Sequence, residues 1–137
     1  MSEDRKGHCL CGAIGYVIAG DSVMSALCHC PSCRRATGSP LVAWVMFEAS
    51  QLAVTAGVPA RFESSPGTRR SFCSKCGTSL FFEADSLPGL VDVTVASLDE
   101  PNDVPPQMHI WDTHRLDWVQ TRDSLPRFEA LPPPDGG

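Results

Sequence analysis

The residues with most chemistry in them are seven cysteines in three tight groups: Cys9-Leu10-Cys11, Cys28-His29-Cys30-Pro31-Ser32-Cys33 and Cys73-Ser74-Lys75-Cys76. An odd number cannot all pair as disulfides, and the spacings are those of metal ligands. Cys73-x-x-Cys76-Gly77 lets two thiolates curl around one ion, and the glycine lets the backbone turn its N–H groups toward sulfur. Cys9 and Cys11 stand two apart at the start of an expected strand, where i and i+2 face the same side. Joining the two pairs gives four thiolates, the closed tetrahedral set of a structural zinc. Such a site would staple the first strand to one far along the chain. Each CxxC taken alone could equally be redox-active or buried.

Cys28, Cys30 and Cys33 sit at an expected strand end and helix start. Three protein ligands leave one zinc position open, the pattern of a catalytic or substrate-binding ion. Soft thiolates select zinc or copper(I) over magnesium or calcium, and an iron–sulfur cluster normally takes four ligands of its own. The expectation is two zinc ions per chain, one structural and one open. The alternative for the second group is three free thiols. Arg34 and Arg35 follow the third cysteine and point in different directions on a short helix, so at most one faces the site. Arg34 is the candidate for holding a substrate carboxylate, against a solvated surface charge. Arg69 and Arg70 alternate on a strand before Cys73, which allows one of them to face inward, with ordinary sheet-surface charge the expectation. His29 is a general base, a hydrogen-bond partner behind the ligands, or a packed histidine. His109 reads as structural, and His8 and His114 as exposed. Glu48 and Asp99 are acid–base candidates that nothing in the sequence pairs with a metal. Trp44, Phe47, Trp111 and Trp118 read as core.

The 137-residue chain must supply elements to position these groups. Its length suits one domain, taken as residues 1–130 with a disordered tail at 131–137. Twelve prolines and eleven glycines favour short strands and turns over long helices. A net charge of −5 argues against gripping a nucleic-acid backbone. No apolar stretch approaches a membrane span, and residues 1–6 contain no secretory apolar region. A reducing, cytoplasmic location follows as the expectation, where clustered cysteines hold metal or do catalysis.

Alternating apolar residues predict strands over 8–20, 23–28, 41–48, 52–55, 61–63, 69–72, 79–83 and 90–96, with Val91, Val93 and Val95 on one face. A last short strand is expected over 108–111, after a proline-broken loop. Pro31 can open a short helix over 31–37, and Gly38 can end it in the left-handed region. The class is mostly β with one short helix.

With these residues in view, the chain resembles the glutathione-dependent formaldehyde-activating enzyme family, which also includes centromere protein V. The likeness is carried by Cys9-x-Cys11-Gly12-Ala13-Ile14-x-Tyr16, by Cys28-His29-Cys30-x-x-Cys33-Arg34-Arg35-x-x-Gly38-Ser39, and by Phe72-Cys73-x-x-Cys76-Gly77-Thr78-x-Leu80. Ala96-Ser97-Leu98-Asp99, His109-Ile110-Trp111, Trp118 and Asp123-x-Leu125-Pro126-x-Phe128 complete it. The resemblance implies a β-tent type fold of several small antiparallel sheets. It also implies one zinc at Cys9, Cys11, Cys73 and Cys76 and another at Cys28, Cys30 and Cys33. The implied activity is that of a carbon–sulfur lyase or synthase, joining formaldehyde and glutathione as S-hydroxymethylglutathione. The competing function is a non-catalytic, zinc-stabilised module that binds glutathione or another small thiol, or a thiol sensor. Either way the partner is a small-molecule thiol, with no nucleic acid and no membrane. Pairing through a strand edge into a homodimer stays open.

Overall fold

The computed structural model describes residues 4–133. Ten strands and one helix follow in order: β1 (Arg5–His8), β2 (Gly15–Ile18), β3 (Met24–Cys28), α1 (Pro31–Thr37), β4 (Val42–Glu48), β5 (Leu52–Ala56), β6 (Ala60–Ser65), β7 (Thr68–Phe72), β8 (Ser79–Ala84), β9 (Leu90–Thr94) and β10 (His109–Ile110). Two sheets result, β1-β2-β5 and β10-β3-β4-β9-β8-β7-β6. Neighbouring strands run antiparallel except β10, which lies parallel to β3 through His109↔Leu27 and Ile110↔Cys28. The mostly-β class with one short helix is therefore as the sequence predicts. Among the described residues no helix is long and apolar enough to cross a membrane.

Strand alternation divides the large sheet into two faces. One face carries Val45, Phe47, Phe81, Val91 and Val93, which pack with Tyr16 and Ile18 of the small sheet into the main core. Tyr16 meets Phe81 edge-on, with ring centroids 5.2 Å apart, and its hydroxyl bonds Ser97 Oγ at 2.6 Å. Burial pushes that phenol up to about 12. The opposite face holds a second apolar cluster of Ala26, Val42, Trp44 and Ile110, which contains Cys28 and Cys33. Trp118 departs from the expectation of core: it is 69% exposed.

The strand expected over 8–20 is two strands. Cys9 N–H bonds Ile14 O at 3.0 Å and Gly12 N–H bonds Cys9 O at 3.1 Å, which closes a tight loop between β1 and β2. Cys9 and Cys11 thus converge through a turn rather than through strand alternation. Gly7 is held by a close approach. It pairs with Tyr16 across β1 and β2, and a Cβ there would run into the Tyr16 ring and come within 2.7 Å of Ser97 O. Gly7→Ala is expected to cost about 1–3 kcal/mol through overpacking. Thermal unfolding reads this directly, and a melting temperature equal to wild type would contradict it.

Candidate metal centres and active site

The sulfurs of Cys9, Cys11, Cys73 and Cys76 all lie within 4.8 Å of one another, as do those of Cys28, Cys30 and Cys33. The partition is the one the spacings predict, and all seven cysteines are free thiols. Two loops build the four-sulfur group: the turn after β1, and the segment between β7 and β8, where Gly77 N–H bonds Cys73 O at 2.8 Å. Backbone amides point at sulfur, Ile14 N–H at Cys9 Sγ (3.3 Å) and Lys75 N–H at Cys73 Sγ (3.4 Å). The Thr78 hydroxyl, 3.2 Å away, draws Cys76 down to about 5. Cys11 is pushed the other way, up to about 11, its neighbouring sulfurs among the causes; four sulfurs gathered this closely are a donor set for a soft cation.

The three-sulfur group sits where β3 runs into α1. Cys28 ends the strand, and Cys30 is the N-cap of α1, its sulfur accepting from Cys33 N–H at 3.2 Å. Pro31 takes the first helical position, and Gly38 closes the helix at φ 72°, as expected. Cys28 and Cys33 sulfurs are 3.6 Å apart. Hydrogen bonding from Cys28, then Cys33, pulls Cys30 far below the usual thiol range, while the same contacts with Cys30 and Cys33 push Cys28 up. Without a cation the cluster keeps one anion by leaving protons on its neighbours. A soft divalent ion would replace those protons, so the donor set fits such an ion.

Cys28, Cys30 and Cys33 form part of the wall of a cavity of about 440 Å³ under α1. Its lining is largely apolar: Met24, Trp44, Met46, Phe82, Ile110 and Trp111. Arg70 enters from β7. Both terminal nitrogens lie 3.7 Å from Cys33 Sγ, Nε donates to Ser64 Oγ at 3.3 Å, and the guanidinium sits 4.8 Å over the Phe82 ring. Of the two alternating arginines Arg70 is the one that faces inward, at 8% exposure, rather than carrying the sheet-surface charge expected of the pair. Arg34 is placed differently from Arg70. Its Nη1 donates to the carbonyls of His29 (3.1 Å) and His114 (2.6 Å), tying α1 to the segment after β10.

His29 lies on the far side of β3 from the ligands, fully buried. Its Nε2 is 2.9 Å from His109 Nδ1, and His109 Nε2 is 3.1 Å from both oxygens of Asp123. The ionised Asp123 only accepts, so His109 carries its proton on Nε2 and receives the N–H of His29 on Nδ1. Burial, then His109, keeps the His29 pKa down, so it packs as a neutral histidine, and His109 is structural as expected. These two and Asp112 also cluster within 4.8 Å, but Asp112 is engaged by Arg127 at 2.9 Å. Glu48 caps a turn with Gln51 away from both centres. Asp99 pairs with His8 at 3.4 Å in an open cleft of about 810 Å³ that passes Cys9 and Cys76.

One group of four converging sulfurs, a second of three and a cavity against the latter define a domain equipped to hold metal. The model of the family described as glutathione-dependent formaldehyde-activating enzyme matches residues 4–114, and the chain belongs to that family. It is 32% identical over 79 residues to an uncharacterized lyase of Schizosaccharomyces pombe, a match covering 58% of this chain and 57% of that protein's length. It is 27% identical over 125 residues to a protein of Halomonas elongata provisionally named a glutathione-dependent formaldehyde-activating enzyme, covering 84% of this chain and 79% of the relative. A Rhodobacter sphaeroides protein of known crystal structure shares the fold, with a TM-score of 0.58 at 22% identity over 90% of this chain and 98% of the other.

Proposed function

We propose that this chain makes and breaks a carbon–sulfur bond on a glutathione-type thiol, interconverting formaldehyde and glutathione with S-hydroxymethylglutathione. The observation that carries this is the placement of Cys28, Cys30 and Cys33 in the wall of a cavity large enough for a small ligand. Family membership and the lyase-named relative support it. Zinc held by those three cysteines would supply one vacant position for a substrate sulfur and favour its thiolate, the nucleophile an aldehyde carbon needs. A second zinc, held by Cys9, Cys11, Cys73 and Cys76, is structural.

The chain's own residues then set the conditions. Arg70 brings positive charge to the sulfurs and offsets the anion of an arriving thiol. Trp44, Phe82 and Met46 keep water from the bond being formed. A glutathione carboxylate would reach Arg34 only through Nε or Nη2, because Nη1 is occupied. The balance is a simple addition: the thiol proton leaves, sulfur bonds the carbonyl carbon, and the carbonyl oxygen gains a proton. Free thiols at two metal centres suit a reducing compartment, so the proposed location is the cytoplasm, and the proposed working unit is one domain over residues 1–130.

Exchange spectroscopy on formaldehyde with glutathione, with and without protein, tests the reading. The expected result is faster adduct exchange that falls to the uncatalysed rate in Cys30→Ser, with two zinc ions per chain by native mass spectrometry. Saturable thiol binding with no acceleration would leave a thiol carrier instead.

A further inference from the structure

One acidic side chain shares the cavity with the three cysteines and has no task in that chemistry. Asp92 lines the wall, on the same face of the sheet as Arg70. The register sets Arg70, Phe82, Asp92, Met46 and Met24 in one row across β7, β8, β9, β4 and β3, and residues directly opposite on antiparallel neighbours share a face. Two strand spacings, about 10 Å, separate the backbones of Arg70 and Asp92. Phe82 fills the interval, and Arg70 is already engaged by Cys33 and Ser64.

The rest of the wall offers Asp92 little. Its remaining ionisable groups are His114, from the turn after β10, and the three cysteines of β3 and α1. Its neighbours on the two adjoining strands are Met46 and Phe82, which can give it no hydrogen bond. Burial, with nothing opposing it, pushes this carboxyl up to about 7. A half-buried carboxyl lining an apolar cavity, with no hydrogen-bond or ion-pair partner among the described residues, is a place for a donor that arrives with the ligand.

We infer that Asp92 receives a protonated amine of the substrate, so that the cavity selects thiols bearing an amine several bonds away from sulfur. The inference rests on the proposed function, which puts the sulfur at the Cys33–Arg70 end. Asp92 then takes the far side of Phe82 along the same row of the sheet, which favours a thiol whose amine stands several bonds from sulfur, as in a small peptide thiol. An ammonium arriving there keeps the carboxylate ionised, so such thiols bind more tightly as pH rises through about 7 and Asp92 gives up its proton.

Calorimetric titration with glutathione and with N-acetylglutathione, on wild type and on the near-isosteric Asp92→Asn, tests this. Wild type is expected to prefer the free amine by at least about tenfold, the worth of one charge-assisted hydrogen bond. Asp92→Asn should lose that preference while holding N-acetylglutathione as wild type does. Equal affinity of wild type for the two thiols overturns the inference and leaves the proposed function standing. So does a preference that survives in Asp92→Asn, since it would reflect the bulk of the acetyl group. Binding of neither thiol overturns the proposed function and this inference with it.

Discussion

Cys73→Ala and Cys76→Ala are expected to leave the chain unfolded at room temperature, whereas Cys33→Ala still folds and loses only the cavity's chemistry. Cys9 and Cys73 are buried within the main core, at 0% and 1% exposure, beside Leu80 and Ile14. The loops that carry them meet through Leu10 N–H on Thr78 Oγ1 at 3.0 Å, and an ion held by the four sulfurs would add the strongest link between them. Structural zinc sites of this kind are worth on the order of 10 kcal/mol, about the whole net stability of a domain. Cys33 belongs to the second cluster, under α1, and its loss leaves the first core intact. Far-UV circular dichroism of each variant, and of wild type titrated with a chelator, provides the comparison. Wild-type melting behaviour in Cys76→Ala would remove the structural assignment.

Asp92→Asn is expected to stabilise the protein, and to do so increasingly with pH. In the folded chain the Asp92 pKa is about 7, against 3.8 in the open chain, because burial penalises the charge. Between those values the folded state holds a proton that the unfolded state has released. Stability therefore falls as pH rises from about 4 to about 7 and stays reduced above it. The wild-type penalty above pH 7 is on the order of 2–4 kcal/mol, toward the lower end because water in the cavity relieves part of it. Urea unfolding at pH 5 and pH 8 measures the effect: the variant's advantage should be small at the first and near its maximum at the second. An advantage independent of pH would mean that the carboxylate is already solvated. Gain of stability with loss of amine preference is the trade expected of a residue kept for ligand contact.

The grouping of the sulfurs was legible because their spacing along the chain is short compared with any loop that could reassign it. The local route to it was not. Cys9-Leu10-Cys11 reads as strand, but the Cys9 to Ile14 hydrogen bond turns the chain there, and a two-residue spacing brings sulfurs together in either geometry. Which arginine stands beside the open group in space is not legible from its neighbour in sequence. Arg34 is adjacent in sequence, yet its guanidinium reaches back to the carbonyls of residues 29 and 114. Arg70, distant in sequence, reaches Cys33 of α1 from β7. Strand alternation around Val91 and Val93 does say that Asp92 faces away from the core. Whether that direction meets water or a cavity depends on α1, β10 and the segment reaching Leu131, which close over the sheet from elsewhere in the chain. Pro134–Gly137, the end of the expected tail, lie outside the described residues.

The two thiolate groups also differ in how much chain must exist before each can close. Cys28, Cys30 and Cys33 fit within one strand end and the first turn of a helix, so they can gather early in synthesis. The other group joins Cys11 to Cys73 across 62 positions, and its fourth sulfur emerges from the ribosome three residues later still. A nascent chain therefore presents its trio of thiols while the four-sulfur site, where an ion would secure the architecture, does not yet exist.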